Sequence, residues 1–292
     1  MYKSLQITDF DNFSSVIDIS DDEKDDFKKN KSHMFDELKK YLLDDTKTLS
    51  AEKIQDHLFP NIEADIFLSH AHADEDKVIE LAICLEKIGF KVFVDSCVWG
   101  NAFELLKKID NTYCKHTNGS SYSYESRNFS TANVYMILNT ALHRMIEKAE
   151  LFIFLGTENS ISLGKSIEQQ ESLESPWIFS ELSFVNQVRR YDKRHHLRKV
   201  LIEKSESIAL EDRIGMDSEL KFTYVKPCLD YTVLNRSFER WLKLHSNPFL
   251  YSDNDRFSQC EEHIQALEKL YELMQYSGKK RKDSVSQQSL FV

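Results

Sequence analysis

Apolar residues recur along this chain in two rhythms, and their alternation outlines the fold. Leu151 to Leu155 is apolar without a break, as a strand covered on both faces should be. Ala64 to Ser69 reads as a short buried strand and Lys91 to Asp95 as a second. Between these two, Glu75 to Ile88 keeps helical spacing, with Val78, Leu81, Ala82, Leu85 and Ile88 on one side. Gly89 suits the stop of that helix. The strand, helix and strand together have the length of a βαβ unit, which implies parallel pairing. The rhythm then lapses. Ser96 to Thr131 is polar and aromatic, and it reads as a long connection with at most a short helix at Leu105 to Ile109. Helical spacing resumes from Asn133 to Lys148, with Met136, Ile137, Ala141, Met145 and Ile146 apolar.

Beyond Leu155 the pattern continues in the same alternation. Gly156 to Ser160 forms a loop, and Lys165 to Glu174 is a polar insert. A helix is expected from Pro176 to about Arg190, with Ser175 as its N-cap and Pro176 at the first helical position. Lys199 to Ile202 is expected as a fourth strand and Phe222 to Val225 as a fifth. Phe238 to Leu244 and Asp255 to Tyr276 read as helices, the second with Cys260, Ile264, Leu267, Leu270, Tyr271 and Met274 on one face. At the other end, Asp18 to Asp26 is acidic, Phe27 to Leu43 has a helical stripe, and Ser50 to Leu58 is a second short helix. The expected organisation is a helical extension over 1–63, an α/β domain over 64–235, a C-terminal helical segment over 236–276 and a polar tail over 277–292. The α/β domain is an open, flavodoxin-like parallel sheet. Ligands on such sheets bind beyond the carboxyl ends of the strands. That rim would carry Ser69 and His70, Asp95 to Trp99, Ser160, and the start of the helix bearing Trp177 and Glu181.

Charge narrows the function classes. The net charge of −10 disfavours a general binder of nucleic acid or of anionic membranes, since a polyanion calls for a basic surface. The basic cluster Lys279 to Lys282 lies in the polar tail. Five cysteines without a CxxC pair fit a reducing compartment and offer no zinc spacing. No apolar run is long enough to span a bilayer, and Met1 to Ser4 leads into no signal core. A cytoplasmic location is the expectation.

Candidate chemistry is sparse. Trp177 and Glu181 stand four residues apart and share a helix face. By spacing alone, an exposed Glu in the second turn outweighs a perturbed acid. His70, His72 and Asp74 are ligand types for a metal, but no further ligand follows at a recognisable spacing, so no metal is expected. No cysteine lies in a nucleophile turn, and neither a GxGxxG nor a GxxxxGK[ST] motif is present. Trp99 can stack a base or anchor its loop on the core, and the sequence leaves both open.

Three segments carry a family resemblance. Asp65-Ile66-Phe67-Leu68-Ser69-His70 resembles the first-strand box of Toll/interleukin-1 receptor (TIR) domains. Gly89-Phe90-Lys91-Val92-Phe93-Val94-Asp95, preceded by the Leu85-to-Gly89 helix end, resembles their second strand. Ser175-Pro176-Trp177-Ile178-Phe179-Ser180-Glu181-Leu182 resembles their Ser-x-Trp-Cys-x-x-Glu-Leu box, with Ile178 where Cys is usual. The match covers roughly 64–235. The resemblance implies a catalytic Glu181 in NAD+ cleavage, with Ser69, His70, Asp95, Trp99, Ser160 and Trp177 at the substrate. It implies NAD+ as substrate rather than cofactor, release of nicotinamide, and an ADP-ribose-derived signal. Without a receptor part, the chain is similar to bacterial TIR proteins, many of which act in antiphage defence. Self-association and a downstream effector that binds the nucleotide product are the implied partners. The alternatives are a non-catalytic TIR interaction module and an enzyme similar to nucleoside deoxyribosyltransferases.

Overall fold

A computed structural model describes residues 1–31, 49–58, 64–116, 121–162, 171–188, 223–246 and 256–277. In chain order these residues form β1 (Lys3–Thr8), α1 (Asp21–Lys31), α2 (Ala51–Leu58), β2 (Ile66–Ser69), α3 (Glu75–Ile88), β3 (Val92–Val94), α4 (Ser96–Ile109) and α5 (Tyr124–Lys148). There follow β4 (Leu151–Leu155), β5 (Ser172–Leu173), α6 (Pro176–Gln187), β6 (Tyr224–Val225), β7 (Tyr231–Leu234), α7 (Asn235–His245) and α8 (Arg256–Ser277).

The main sheet, among the described residues, has five strands in the order β3-β2-β4-β1-β7, and every pairing is parallel. This is the expected α/β architecture, and its arrangement is compatible with a flavodoxin-like sheet. Alternation of side chains across the pleat builds two cores. Ile66 and Leu68 of β2 and Leu151, Ile153 and Leu155 of β4 face one way, onto α3, α7 and α8. Phe67, Phe152 and Phe154 face the other way, onto α4, α5 and α6. Phe67 and Phe152 stack with ring centroids 5.5 Å apart.

The N-terminal region corrects the expected organisation. Residues 3–8 form a strand inside the sheet, flanked by β4 on one side and β7 on the other. Leu5 and Ile7 reach the first core. Ser4 and Gln6 point the other way and are buried, so their polar groups require partners. Ser4 Oγ donates to Asp230 Oδ2 at 2.8 Å, and Lys226 Nζ donates to Gln6 Oε1 at 2.8 Å. The slot beside β4 is thereby filled by the start of the chain. The expected strand Lys199 to Ile202 lies outside the described residues, as do much of the stripe from Phe27 to Leu43, most of the insert from Lys165, and the tail beyond 277. A cradle at Gly156 admits β1: a Cβ there would stand 3.1 Å from the Ile7 carbonyl oxygen and 3.2 Å from Gln6 Nε2.

Three further corrections concern local reading. The stretch expected as a long connection from Ser96 is largely helical: α4 runs from Ser96, a π turn follows at Asp110–Cys114, and α5 begins at Tyr124. Buried Asp110 holds this region together, accepting from Arg127 Nε at 2.9 Å and from Ser130 Oγ at 2.8 Å. Tyr224–Val225 is no member of the main sheet, but pairs antiparallel with Ser172–Leu173. Met136 and Ile264, read among the apolar positions of their helices, are exposed. Gly89 caps α3 in the left-handed region at φ 110°, as a glycine stop requires. The C-terminal helices belong to the first core, with Trp241 Nε1 donating to the Ala266 carbonyl at 3.0 Å. Among the described residues, no helix is long and apolar enough to cross a membrane.

An interior β1 has a measurable cost when weakened. Ile7→Ala removes a side chain with no solvent exposure. It should destabilise the protein by about 2–5 kcal/mol in denaturant unfolding. A loss below about 0.5 kcal/mol, the range of surface substitutions, would place residues 3–8 outside the core.

Candidate active site

The chain leaves β2 toward β3 on one side, then returns so that β4 pairs on the other side of β2. In open α/β sheets such a reversal opens a crevice at the carboxyl ends of the strands. Ser69 is the last residue of β2, and His70 follows it. Asp95 follows β3 directly, at the entry to α4. Both therefore emerge at the same end of the sheet.

Glu181 reaches this end from α6. Ser175 caps that helix by accepting from the Ile178 N–H at 3.3 Å, and Pro176 sits in its first turn, as the sequence predicts. Ile178, Leu182 and Val185 lock the helix into the second core. Ile178 serves there as packing. Glu181, one turn before Val185, is carried to the sheet edge with a relative exposure of 1 %. It is not the surface Glu that spacing alone favours.

Four of the expected site residues converge. Ser69 Oγ donates to Glu181 Oε2 at 2.6 Å. Asp95 lies close enough to act on the same carboxyl by charge and by hydrogen bonding. His70 Nδ1 lies 3.1 Å from Asp95 Oδ1, close enough for an ion pair but without the alignment of a hydrogen bond. All four side chains are buried. Burial and the neighbouring Asp95 charge push the Glu181 carboxyl well above the ordinary carboxylate range, and the Ser69 hydroxyl only partly offsets them. For His70, burial opposes the charged ring, but the Asp95 carboxylate overrides it and the net shift is upward. The cluster thus places two carboxyl groups and an imidazole side by side. Such a group can donate a proton, take one up, or stabilise a nearby cation once Glu181 ionises.

Two other expected residues have separate roles. Ser160 belongs to the loop after β4, where its Oγ donates to the Leu155 carbonyl at 3.0 Å and accepts from the Thr157 N–H at 2.8 Å. Trp177 is half-buried and meets Tyr135 of α5 edge-on, with ring centroids 5.3 Å apart. Trp99 lies within α4, but its side chain lies outside the described ones. The reading of His70, His72 and Asp74 as ligand types dissolves. His70 turns to Asp95, the His72 side chain is exposed, and Asp74 turns to the loop after β4.

Asp74 is the residue that sequence reasoning missed in its proper role. Thr157 Oγ1 donates to its Oδ2 at 2.6 Å and Asn159 Nδ2 to its Oδ1 at 2.7 Å. These bonds tie the loop after β4 to the turn after β2. Thr157 and Asn159 follow an apolar strand in a polar loop, which was the available signal; only the fold shows that Asp74 faces them.

Compared with known proteins, the chain matches no family model, no curated protein and no solved structure.

The shifted groups set a pH dependence. Glu181 in the folded protein holds its proton above the ordinary value of 4.5, so between 4.5 and its raised pKa the folded state binds more protons than the unfolded chain. Stability from this group therefore falls as pH rises through that window. His70, raised above 6.5, stabilises the fold below that value and loses this contribution as pH rises through its folded pKa. The two effects have the same sign. Thermal unfolding of the wild type should fall in midpoint from about pH 5 to about pH 8 by more than that of Glu181→Gln, whose neutral side chain does not ionise. Parallel curves for the two proteins would show that Glu181 titrates normally.

Proposed function

We propose that this chain is an NAD+-cleaving enzyme of TIR type, with Glu181 as its catalytic residue. The observation that carries the reading is the placement of Glu181. A carboxyl from the Ser-Pro-Trp-x-x-x-Glu helix meets the ends of the first-strand and second-strand boxes, through Ser69 and Asp95. Three segments that resemble one family thus supply one cluster at the crevice of an open parallel sheet.

The chemistry follows from the group. The bond between nicotinamide nitrogen and ribose C1′ breaks, and its electron pair leaves with nicotinamide. Positive charge develops on the ribose as an oxocarbenium-like centre. An ionised Glu181 beside it stabilises that charge and holds the ribose hydroxyls. Water then adds to C1′ to give ADP-ribose, or an adenine nitrogen closes a cyclic isomer. A nucleotide of either kind suits a signal read by a downstream effector in antiphage defence. Because Glu181 is covered, turnover requires a rearrangement that opens the crevice. Self-association is the trigger this reading invokes.

The second reading is a non-catalytic interaction module of the same family. Its support is the exposed apolar surface of α4 and α5, where Phe103, Phe129 and Met136 face solvent, Phe129 at 73 % exposure.

Purified protein incubated with NAD+ at rising protein concentration should release nicotinamide, followed by chromatography with mass spectrometry of the products. Glu181→Ala should lower the rate by about a hundredfold or more, the loss typical when a transition-state stabilising group is removed. Equal turnover by the variant would remove Glu181 from the mechanism. No turnover even in the associated state would favour the interaction module.

A further inference from the structure

In a chain with 29 % charged residues, Asn128 to Leu142 of α5 holds no Asp, Glu, Lys or Arg. The inner side of this stretch packs in the second core through Val134, Leu138, Ala141 and Leu142. On the outer side, Phe129 is 73 % exposed and Met136, two turns further on, is 56 % exposed. Ala132, Asn133 and Thr140 lie between and beside them and are exposed too. The two polar members are turned back onto their own helix. Asn133 Nδ2 donates to the Phe129 carbonyl at 2.8 Å, and Thr140 Oγ1 donates to the Met136 carbonyl at 2.8 Å. Covering these donors therefore sacrifices little hydrogen bonding to water. A helix side without charge, with large apolar groups outward and its polar donors already engaged, has the composition of an interface centre.

We propose that this side of α5 is the surface on which two copies of the chain associate, α5 against α5 in antiparallel array. Charge selects the occupant. A chain of net charge −10 repels its own copy, and this uncharged side lets two copies meet without opposing like charges. The order of the residues fits a two-fold axis between Ala132 and Asn133. Phe129 then falls opposite Met136 of the second copy, and Ala132 opposite Asn133, so the large groups meet on either side of a narrow crossing. The face is about 20 Å by 10 Å, well under the roughly 800 Å² per partner of a standard interface. The pairing is therefore weak and depends on concentration.

The proposal goes beyond both readings of the function and holds under either. It also places the second copy one helix away from Glu181. Ser180 Oγ donates to Asn139 Oδ1 of α5 at 2.7 Å, and Trp177 meets Tyr135 of α5. Glu181 follows Ser180 directly, so the helix that carries it rests on the paired one.

Sedimentation velocity of the full chain without NAD+ tests the proposal, at protein concentrations up to about 1 mM. The wild type should pass from monomer to dimer. Phe129→Glu combined with Met136→Glu should raise the dissociation constant about tenfold or more, since it sets acids against each other across the axis. Tyr276→Glu, the same kind of change at an exposed site on α8, should leave it unchanged. Cross-linking reads the register. With a short thiol-reactive linker and peptide mass spectrometry, Ala132→Cys should join two copies through residue 132. Glu125→Cys should not join to itself, because the two copies of that residue lie about 22 Å apart along the pair, but in a mixture it should join Thr140→Cys. A monomer throughout, as a face reserved for a different protein would give, overturns the proposal. So does a dimer that the double variant leaves intact, or a link at residue 125 as strong as that at 132. All the substituted positions are exposed, which spares the cores. Should the double variant not fold, the links decide.

Discussion

Everything in this molecule leans on the burial of Leu151 to Leu155. The strand pairs with β2 on one edge and β1 on the other, so its backbone groups are satisfied by parallel ladders on both sides. Its side chains have no exposure and alternate between two cores. An apolar segment of this kind must be covered on both faces, and that requirement forces helices onto each side of the sheet. It also fixes where the chain reverses direction across the sheet. The crevice beside β2, with the charged cluster at its mouth, is a by-product of how the central strand is buried.

The cluster inverts the usual economy of a protein interior. Ion pairs are costly to bury unless each charge finds a partner. Here the Asp95 carboxyl lies 3.1 Å from the His70 ring, and burial with the neighbouring acid raises the proton affinity of the Glu181 carboxyl. The Ser69 hydroxyl fixes which oxygen of Glu181 accepts. Such an arrangement adds little to stability. Perturbed acids concentrate at functional sites. The adjacent tie from Asp74 joins the turn after β2 to the loop after β4.

Much of this was legible in the residues. The strands β2, β3 and β4 and the helices α3 and α6 follow from unbroken apolar runs, helical spacing, the Gly89 stop and the Ser175–Pro176 cap. Ser69, His70, Asp95 and Glu181 were placed at one rim by the same pattern. The interior strand β1 was not legible, because Lys3–Thr8 alternates polar and apolar residues as a half-exposed strand does, while Ser4 and Gln6 are in fact buried. Their partners, Asp230 and Lys226, lie more than two hundred positions away in the chain. The helices from Ser96 onward were hidden for a related reason. Asp110, Arg127 and Ser130 satisfy one another across a turn, so polar residues that look like loop are held in helical structure. The role of Asp74 depended on tertiary contact in the same way.

The position of β1 also bears on how the molecule assembles. Lys3 pairs with Leu151, and Leu5 with Tyr231. β1 is made before either of its partners, so the sheet closes only after β4 and then β7 have emerged. Chains dominated by such distant pairings have high contact order and fold slowly. Until that moment β2, β3 and β4 expose the open edge of a parallel sheet, the kind of surface that invites pairing with another chain. β1 covers that edge in the finished sheet, with β7 beyond it.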